Sequence, residues 1–404
     1  MSVVAPRLVA SDASVKVDEA APARTRSVHL DAVDLVRVAM IAGVLAVHVV
    51  AYTTNPEDLV VGAANALLHV NREVFFFLTA FVLCYTYGSR HGWSLTSFWK
   101  KRYLFVGVPY LAWSLVYFLA DGGPYRPWSA PAQRLLGDLL AGTARYHLYF
   151  LLVTMEIYAG FPLLLWLLQV TRRHHGLLLA ASLAVQTAFT ATLHYARDAA
   201  PHAPGLLGAW MRHPDPVVFS YQLYLVAGGI AALHLEELAA WVRAHRGLVN
   251  LLVAGGLAAG LASYVLDHAA AGMDAEAAGE VFQPMIAVTT AASVLGLFAL
   301  GVRWADRGPQ RRFRWAVRTA SDATFGVYLA HPLLLQGLLI LAAPLASRTV
   351  TGEVPSALVL PLDVLVVVPV LLAASVAVVA WTRRTPASLF VAGRARVRDR
   401  GGAP

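Results

Sequence analysis

The chain has 404 residues, of which 58% are hydrophobic and only 14% are charged, whereas a soluble domain is about 45–50% apolar. This composition excludes an ordinary soluble protein and predicts an all-α, polytopic helix bundle in a membrane. The formal net charge is +8, but a basic balance in such a protein usually reflects its cytoplasmic loops, so we do not predict nucleic-acid binding. The single cysteine, Cys84, lies in an apolar run, so no disulfide framework and no cysteine-based metal site are expected.

Hydropathy divides the chain into three parts. Residues 1–30 are polar and small and lack the apolar core of a signal peptide, which predicts a disordered cytoplasmic tail. A transmembrane domain follows at residues 31–385, and residues 386–404 form a basic cytoplasmic tail. The domain contains ten candidate spans, at about residues 33–53, 69–87, 103–120, 147–169, 176–195, 216–234, 247–267, 281–302, 322–345 and 357–382.

The distribution of basic residues predicts the orientation in the cell membrane. Two of the 32 lysines and arginines lie within spans, and most of the others lie in the tails and in the loops after the even-numbered spans. The opposite loops hold only Arg126, Arg134, Arg145, Arg197, Arg212 and Arg348. Because cytoplasmic loops carry the excess of basic residues, both termini are predicted to be cytoplasmic.

The first span carries three ionisable residues: Asp34, Arg37 and His48. An arginine inside a spanning helix costs about 2.5–3.5 kcal/mol on insertion scales, so its presence indicates a functional site. Arg37 and His48 are eleven residues apart, about three helical turns, which places them on one face roughly 16 Å apart. That face could connect a cytoplasmic donor to an acceptor further out.

Other ionisable residues near the spans allow two interpretations each. Arg72 is either a snorkelling charge or part of a local ion pair on the one hand, or a substrate ligand on the other. Lys101 and Arg102 either anchor the protein at the cytoplasmic surface or hold phosphate groups. Glu156, in an apolar run, is either half of a structural ion pair or a site residue. His331, which precedes Pro332, either bonds backbone freed at a helix kink or belongs to the site.

The arginine-rich stretch at residues 303–318 is a further basic segment. It is consistent with an interfacial amphipathic helix, with a site for anionic lipid or donor phosphate, or with a topology signal alone.

Several motifs, in order over most of residues 30 to 345, together resemble acyltransferase family 3 of integral membrane proteins. They are Asp34-x-x-Arg37, Arg37-x10-His48, the aromatic run Phe75 to Phe81, Lys101-Arg102 before Pro109-Tyr110, His147-Leu-Tyr-Phe-Leu, and Phe325-Gly-Val-Tyr-Leu-Ala-His331-Pro332. Two departures stand out. Members often carry Arg-x-x-Arg at the start of the third span, but Phe105 follows Arg102 here. The chain also has no fused esterase-like SGNH domain, so we expect a transmembrane unit alone.

The resemblance implies transfer of an acyl group, commonly acetyl, from cytoplasmic acyl-CoA to a hydroxyl of a sugar, a cell-envelope glycan or a secondary metabolite. Acyl-CoA would then be a donor substrate, with no bound cofactor and no metal, and the partners would be the hydroxyl acceptor and the lipid bilayer. Such chemistry needs a base near the hydroxyl, and a neutral imidazole suits that role. We therefore predict that His48 is this base or a transient acyl carrier, that Arg37 binds and polarises the donor, and that Asp34 orients Arg37.

Asp34 is roughly 21 Å along the helix from His48, so another carboxylate, Glu156, is the candidate to orient the imidazole. The other predicted substrate-binding residues are Arg72, Lys101, Arg102, His147 and His331. Two alternatives stay open. One is a transporter of a glycan or metabolite, with Arg37, His48 and Glu156 along its pathway. The other is a non-catalytic subunit of a polysaccharide synthase.

Overall fold

A computed structural model describes residues 23–88, 90, 92–121, 131–196, 202–308 and 310–396. These residues form helices and connections, and no strand occurs among them. The α-helices are α1 Ala23–Thr53, α2 Leu59–Leu68, α3 Val70–Tyr87, α4 Leu95–Ala120, α5 Pro131–Ala141, α6 Tyr149–Val170, α7 His175–Tyr195, α8 Gly205–Arg212, α9 Gln222–Leu233, α10 Leu235–Ala244, α11 Arg246–Ala269, α12 Ala275–Ala278, α13 Ile286–Asp306, α14 Arg311–Leu341, α15 Ala343–Val350, α16 Ser356–Leu362, α17 Val368–Thr382 and α18 Ser388–Ala392.

Nine helical segments in the described residues are long and apolar enough to cross a membrane. A bent pair of helical segments, Val218–Leu233 and Leu235–Ala244, meets at an angle of 84° and forms either a broken tenth span or a re-entrant loop. The predicted all-α bundle of about ten spans is therefore confirmed. The boundaries differ most at the ninth span, which begins at Arg311, and at the second span, where α2 and α3 together form one segment from Leu59 to Tyr87.

Helix α1 lies inside the bundle and packs mainly against α13, α14 and α17. Leu45 and Val49 on α1 are completely buried, although both belong to a segment apolar enough to face lipid. The closest helix contact is between α3 and α9, where a Cβ on Gly228 would lie 2.1 Å from the carbonyl oxygen of Phe77. Only a glycine permits this approach, so the aromatic run of α3 is held firmly against α9.

Two sequence interpretations change. The arginine-rich stretch ends α13 and then continues as the first turns of α14, so it does not form a separate interfacial helix. Both predicted tails contain helix, because α1 already begins at Ala23 and α18 lies beyond residue 385. The remaining parts of those tails, residues 1–22 and 397–404, lie outside the described residues.

Candidate active site

The first turns of the spanning part of α1 contribute to a cavity lined by arginines. Arg37 and Arg102 line a cavity of about 210 Å³, and Arg102 also lines an adjoining cavity of about 190 Å³. Arg394, which follows α18, lines both. We call these two spaces together the arginine cavity. Three guanidinium groups around one space make it suited to an anionic ligand such as phosphate.

The contact between Asp34 and Arg37 is weaker than the sequence suggested. The Asp34 carboxylate lies 4.0 Å from the Arg37 guanidinium, whereas it accepts a 2.7 Å hydrogen bond from the Ser321 hydroxyl on α14. The Arg37 side chain is 33% exposed. Arg37 is thus only loosely held by its predicted partner, and its donors are available to a ligand.

A larger cavity of about 750 Å³ surrounds His48. It is lined by His48, Arg72, Tyr146, His147 and Asp215, among others, and we call it the imidazole chamber. Two connections form part of its rim: residues 141–143 at the end of α5 and residues 212–216 after α8. A cavity of this size, with mostly apolar walls and a few polar groups, is typical of a small-molecule site.

Three imidazoles lie together beside this chamber. The His48 ring stacks on the His331 ring at 5.1 Å, and the His331 ring lies 5.2 Å from that of His147. Tyr146 covers another side of His48 at 4.5 Å. His48 and His147 both line the chamber, but His147 is buried, as is His331, whereas His48 is only partly buried. His48 is therefore the most accessible imidazole of this cluster.

The position of His331 follows from the proline after it. Pro332 lacks an N–H and cannot bond the carbonyl of Tyr328 four residues earlier, so that carbonyl is left free in the helix. The Nδ1 atom of His331 occupies this place, 2.7 Å from the Tyr328 oxygen. Since Nδ1 must then carry the hydrogen, the Nε2 atom keeps its lone pair, and it has no partner among the described residues. His331 thus bonds the free backbone carbonyl at the proline and also lies beside His48.

Arg72 lines the chamber, and each of its three guanidinium nitrogen atoms donates a hydrogen bond. Its Nε and Nη2 atoms both donate to Glu73, at 2.9 and 2.8 Å, and its Nη1 atom donates to Asp215 at 2.7 Å. The rings of Tyr221 and Phe282 lie over the guanidinium at 5.0 and 4.3 Å. Both interpretations of Arg72 therefore receive support: it lines the chamber, and it forms a local ion pair.

Two predicted site residues lie elsewhere. The Glu156 carboxylate is exposed and accepts a 2.8 Å hydrogen bond from the backbone N–H of Val218, so it does not orient His48 in this structure. Lys101 is also exposed and lines neither the arginine cavity nor the chamber. Glu156 lies in an apolar run and Lys101 in a basic cluster, which is why the sequence selected them. Both side chains, however, lie on helix faces that point away from the cavities.

Sequence reasoning missed Tyr146, Asp215 and Arg394. Only the position of Tyr146 directly before the predicted site residue His147 could have indicated it from the sequence. Asp215 lies in a connection and Arg394 in a predicted tail, so hydropathy of the spans could not select them.

The arginine cavity and the imidazole chamber share walls. Phe75 and Tyr328 line both spaces, and Val44, one turn before His48 on α1, does so as well. The Tyr328 hydroxyl donates to the backbone carbonyl of His147, which holds this wall in place. The two spaces are therefore adjacent in the bundle, separated by a few side chains.

The fold is thus an apolar helix bundle in which a cavity lined by three arginines adjoins a chamber lined by imidazoles. Comparison with known families matches residues 30–384 to the acyltransferase 3 family, described as an acyltransferase domain. The match spans most of the chain, so the protein belongs to this family of membrane acyltransferases. No curated protein and no solved structure matches it.

Proposed function

We propose that the protein transfers an acyl group, with acetyl as the first donor group to test, from cytoplasmic acyl-CoA to a hydroxyl of a sugar, a cell-envelope glycan or a secondary metabolite. The observation that carries the proposal is the arrangement along α1. Arg37 lines the arginine cavity, His48 lines the chamber, and Phe75 and Tyr328 form walls common to both. This arrangement suits a donor with phosphates at one end and a thioester at the other.

In the proposed reaction, Arg37 and Arg102 bind the phosphates, and the pantetheine arm reaches past Phe75 and Tyr328 into the chamber. The neutral His48 imidazole takes the proton of the acceptor hydroxyl as its oxygen attacks the thioester carbon. The carbon–sulfur bond then breaks, and the leaving thiolate takes the proton from His48. The products are an ester and free CoA, so atoms and charges balance without a further reactant.

The arginine cavity must face the cytoplasm if the donor is cytoplasmic acyl-CoA. This agrees with the orientation that the basic residues predict, in which both termini are cytoplasmic. The chamber with His48 would then lie in the outer half of the bilayer, which suits an acceptor taken from the membrane or from outside.

The test uses membranes that contain the wild type or His48→Ala, incubated with labelled acetyl-CoA and extracts of the host's glycans and metabolites. We expect a labelled product with the wild type and a loss of about 10²–10⁴-fold in the variant, which is the usual contribution of a general base. His174→Ala is a matched control, because this exposed histidine lies at the start of α7, outside the chamber. Equal amounts of all three proteins in the membranes must be verified.

Other results of this experiment would support other roles for His48 or another function. Equal labelling by wild type and His48→Ala would remove His48 as the base. Label retained on the wild-type protein without acceptor, and absent from His48→Ala, would identify His48 as an acyl carrier. If no acyl-CoA gives a product, but vesicles move unmodified glycan or metabolite, the protein is a transporter.

A further inference from the structure

The segment after the last spanning helix is built into the bundle. Helix α18 packs against α4 and α14, and Ala392 at its end is buried. The indole Nε1 atom of Trp113 on α4 donates to the backbone carbonyl of Val391 at 3.3 Å. These contacts join the segment to the helix that carries Arg102.

Gly393 then turns the chain towards the arginine cavity. Its φ of 57° lies in the left-handed region, and a Cβ there would lie 2.4 Å from both the Phe105 carbonyl oxygen and the Phe325 ring. Only glycine combines this backbone conformation with such close approach. The next residue is fixed as well, because the Ser388 hydroxyl donates to the carbonyl of Arg394 at 2.8 Å.

The side chain of Arg394 lines the same two spaces as Arg102. Both guanidinium groups are close enough to Arg37 to interact with it electrostatically. Arg394 also donates to the Asp322 carboxylate at 2.9 Å, but both side chains of this pair are partly exposed, at 39% and 56%. Such a pair contributes little to stability and leaves the remaining guanidinium donors available.

The charges around the cavity do not cancel. Asp34 lies near Arg37 and Asp322 pairs with Arg394, whereas Arg102 forms no ion pair within the described part of the chain. Arg102 instead contacts the rings of Tyr87, Phe98 and Tyr158. Three cations thus face two carboxylates, which leaves a net positive site suited to a phosphate group.

We propose that Arg394 is a phosphate ligand of the donor site, contributed by the C-terminal segment and acting beside Arg102 and Arg37. This inference rests on the proposed function, since it assumes a donor with phosphate groups at one end. The residue three positions after Arg102 is Phe105, whose carbonyl contacts Gly393, so the segment brings an arginine to a place where α4 has none. Arg394 lies outside the residues 30–384 that match the family.

The test compares two ligands on the purified full-length protein. Coenzyme A carries phosphate groups, and pantetheine has the same thiol arm without them. For Arg394→Gln we expect the dissociation constant of coenzyme A to rise about 10-fold or more, as for loss of a charge-assisted hydrogen bond, while that of pantetheine stays unchanged. Arg396→Gln is the matched control, because this exposed arginine bonds the carbonyl of Arg384 and lines neither part of the arginine cavity.

A second variant separates ligand binding from a structural ion pair. Asp322→Asn breaks the same pair as Arg394→Gln but leaves the guanidinium free, so coenzyme A should bind as tightly as to the wild type or more tightly. Equal weakening by Asp322→Asn and Arg394→Gln would show that the pair only supports the fold, and would overturn the inference. Loss of pantetheine binding in Arg394→Gln would overturn it too, because the effect would then not depend on phosphate.

The experiment tests the phosphate-bearing donor and the role of Arg394 separately. If the wild type binds neither coenzyme A nor pantetheine, the donor assigned under the proposed function is wrong. If the wild type binds coenzyme A, and Arg394→Gln binds it equally well, only the role of Arg394 is wrong.

Discussion

Arg37 and Arg72 both lie in apolar helices, yet their surroundings differ. Arg72 is 10% exposed, donates to two carboxylates and contacts two aromatic rings. Arg37 is 33% exposed, and its nearest carboxylate is 4.0 Å away and hydrogen-bonded to Ser321. A saturated arginine can shape a cavity, but an arginine with a loose partner can exchange that partner for a ligand. From this comparison we propose a mainly structural role for Arg72 and a ligand-binding role for Arg37.

The largest effect on stability is expected at Arg72. Arg72→Met leaves the fully buried Glu73 carboxylate without its partner, which should lower the free energy of unfolding by about 3–5 kcal/mol. Thermal unfolding of the purified protein measures this. The double variant Arg72→Met/Glu73→Gln should recover part of the loss, because no unpaired buried charge is left. If the double variant is no more stable than Arg72→Met, the two charges do not stabilise each other.

Arg37→Gln should weaken donor binding instead. We expect the KM for acyl-CoA to rise by about 10-fold or more, as for loss of hydrogen bonds from a charged group worth about 1.5–3 kcal/mol, with little change in thermal stability. Steady-state kinetics and thermal unfolding of the same preparation test both parts. A fall in stability as large as in Arg72→Met would contradict the comparison, because Arg37 would then also be structural.

His331 offers a pair of substitutions that separates its two ring nitrogens. Asn can still donate to the Tyr328 carbonyl from the position of Nδ1, whereas Gln reaches the position of Nε2 and loses that contact. His331→Gln should therefore cost about 1 kcal/mol more stability than His331→Asn. If activity follows stability in both variants, His331 acts only at the kink. Low activity in a stable His331→Asn protein would indicate that Nε2 assists His48.

The smallest effect is expected at Asp215. Its side chain is 48% exposed, and Arg72 keeps both hydrogen bonds to Glu73 when Asp215 is neutralised. Asp215→Asn should therefore change stability by less than about 1 kcal/mol, as for other exposed ion pairs. A change as large as that in Arg72→Met would mean that the connection after α8, and not Glu73, holds the guanidinium.

The sequence predicted the spans well because apolar length is a local property. A run of about twenty apolar residues must form a helix in a bilayer, whatever its neighbours are. It also selected Arg37, His48 and Arg72, since a charged or polar side chain in such a run is conspicuous. Spacing along one helix placed Arg37 and His48 on a common face, and the cavities that they line follow that face.

Which groups meet across helices was decided by the tertiary structure. Glu156 looked like a partner for His48, but the helix faces bring His331 to the imidazole and Glu156 to the backbone of Val218. Arg394 is far from Arg102 along the chain, and only the packing of α18 on α4 brings them to the same cavity. Hydropathy fixes which residues enter the membrane, whereas contacts between helices depend on rotation and close packing, which no single segment encodes.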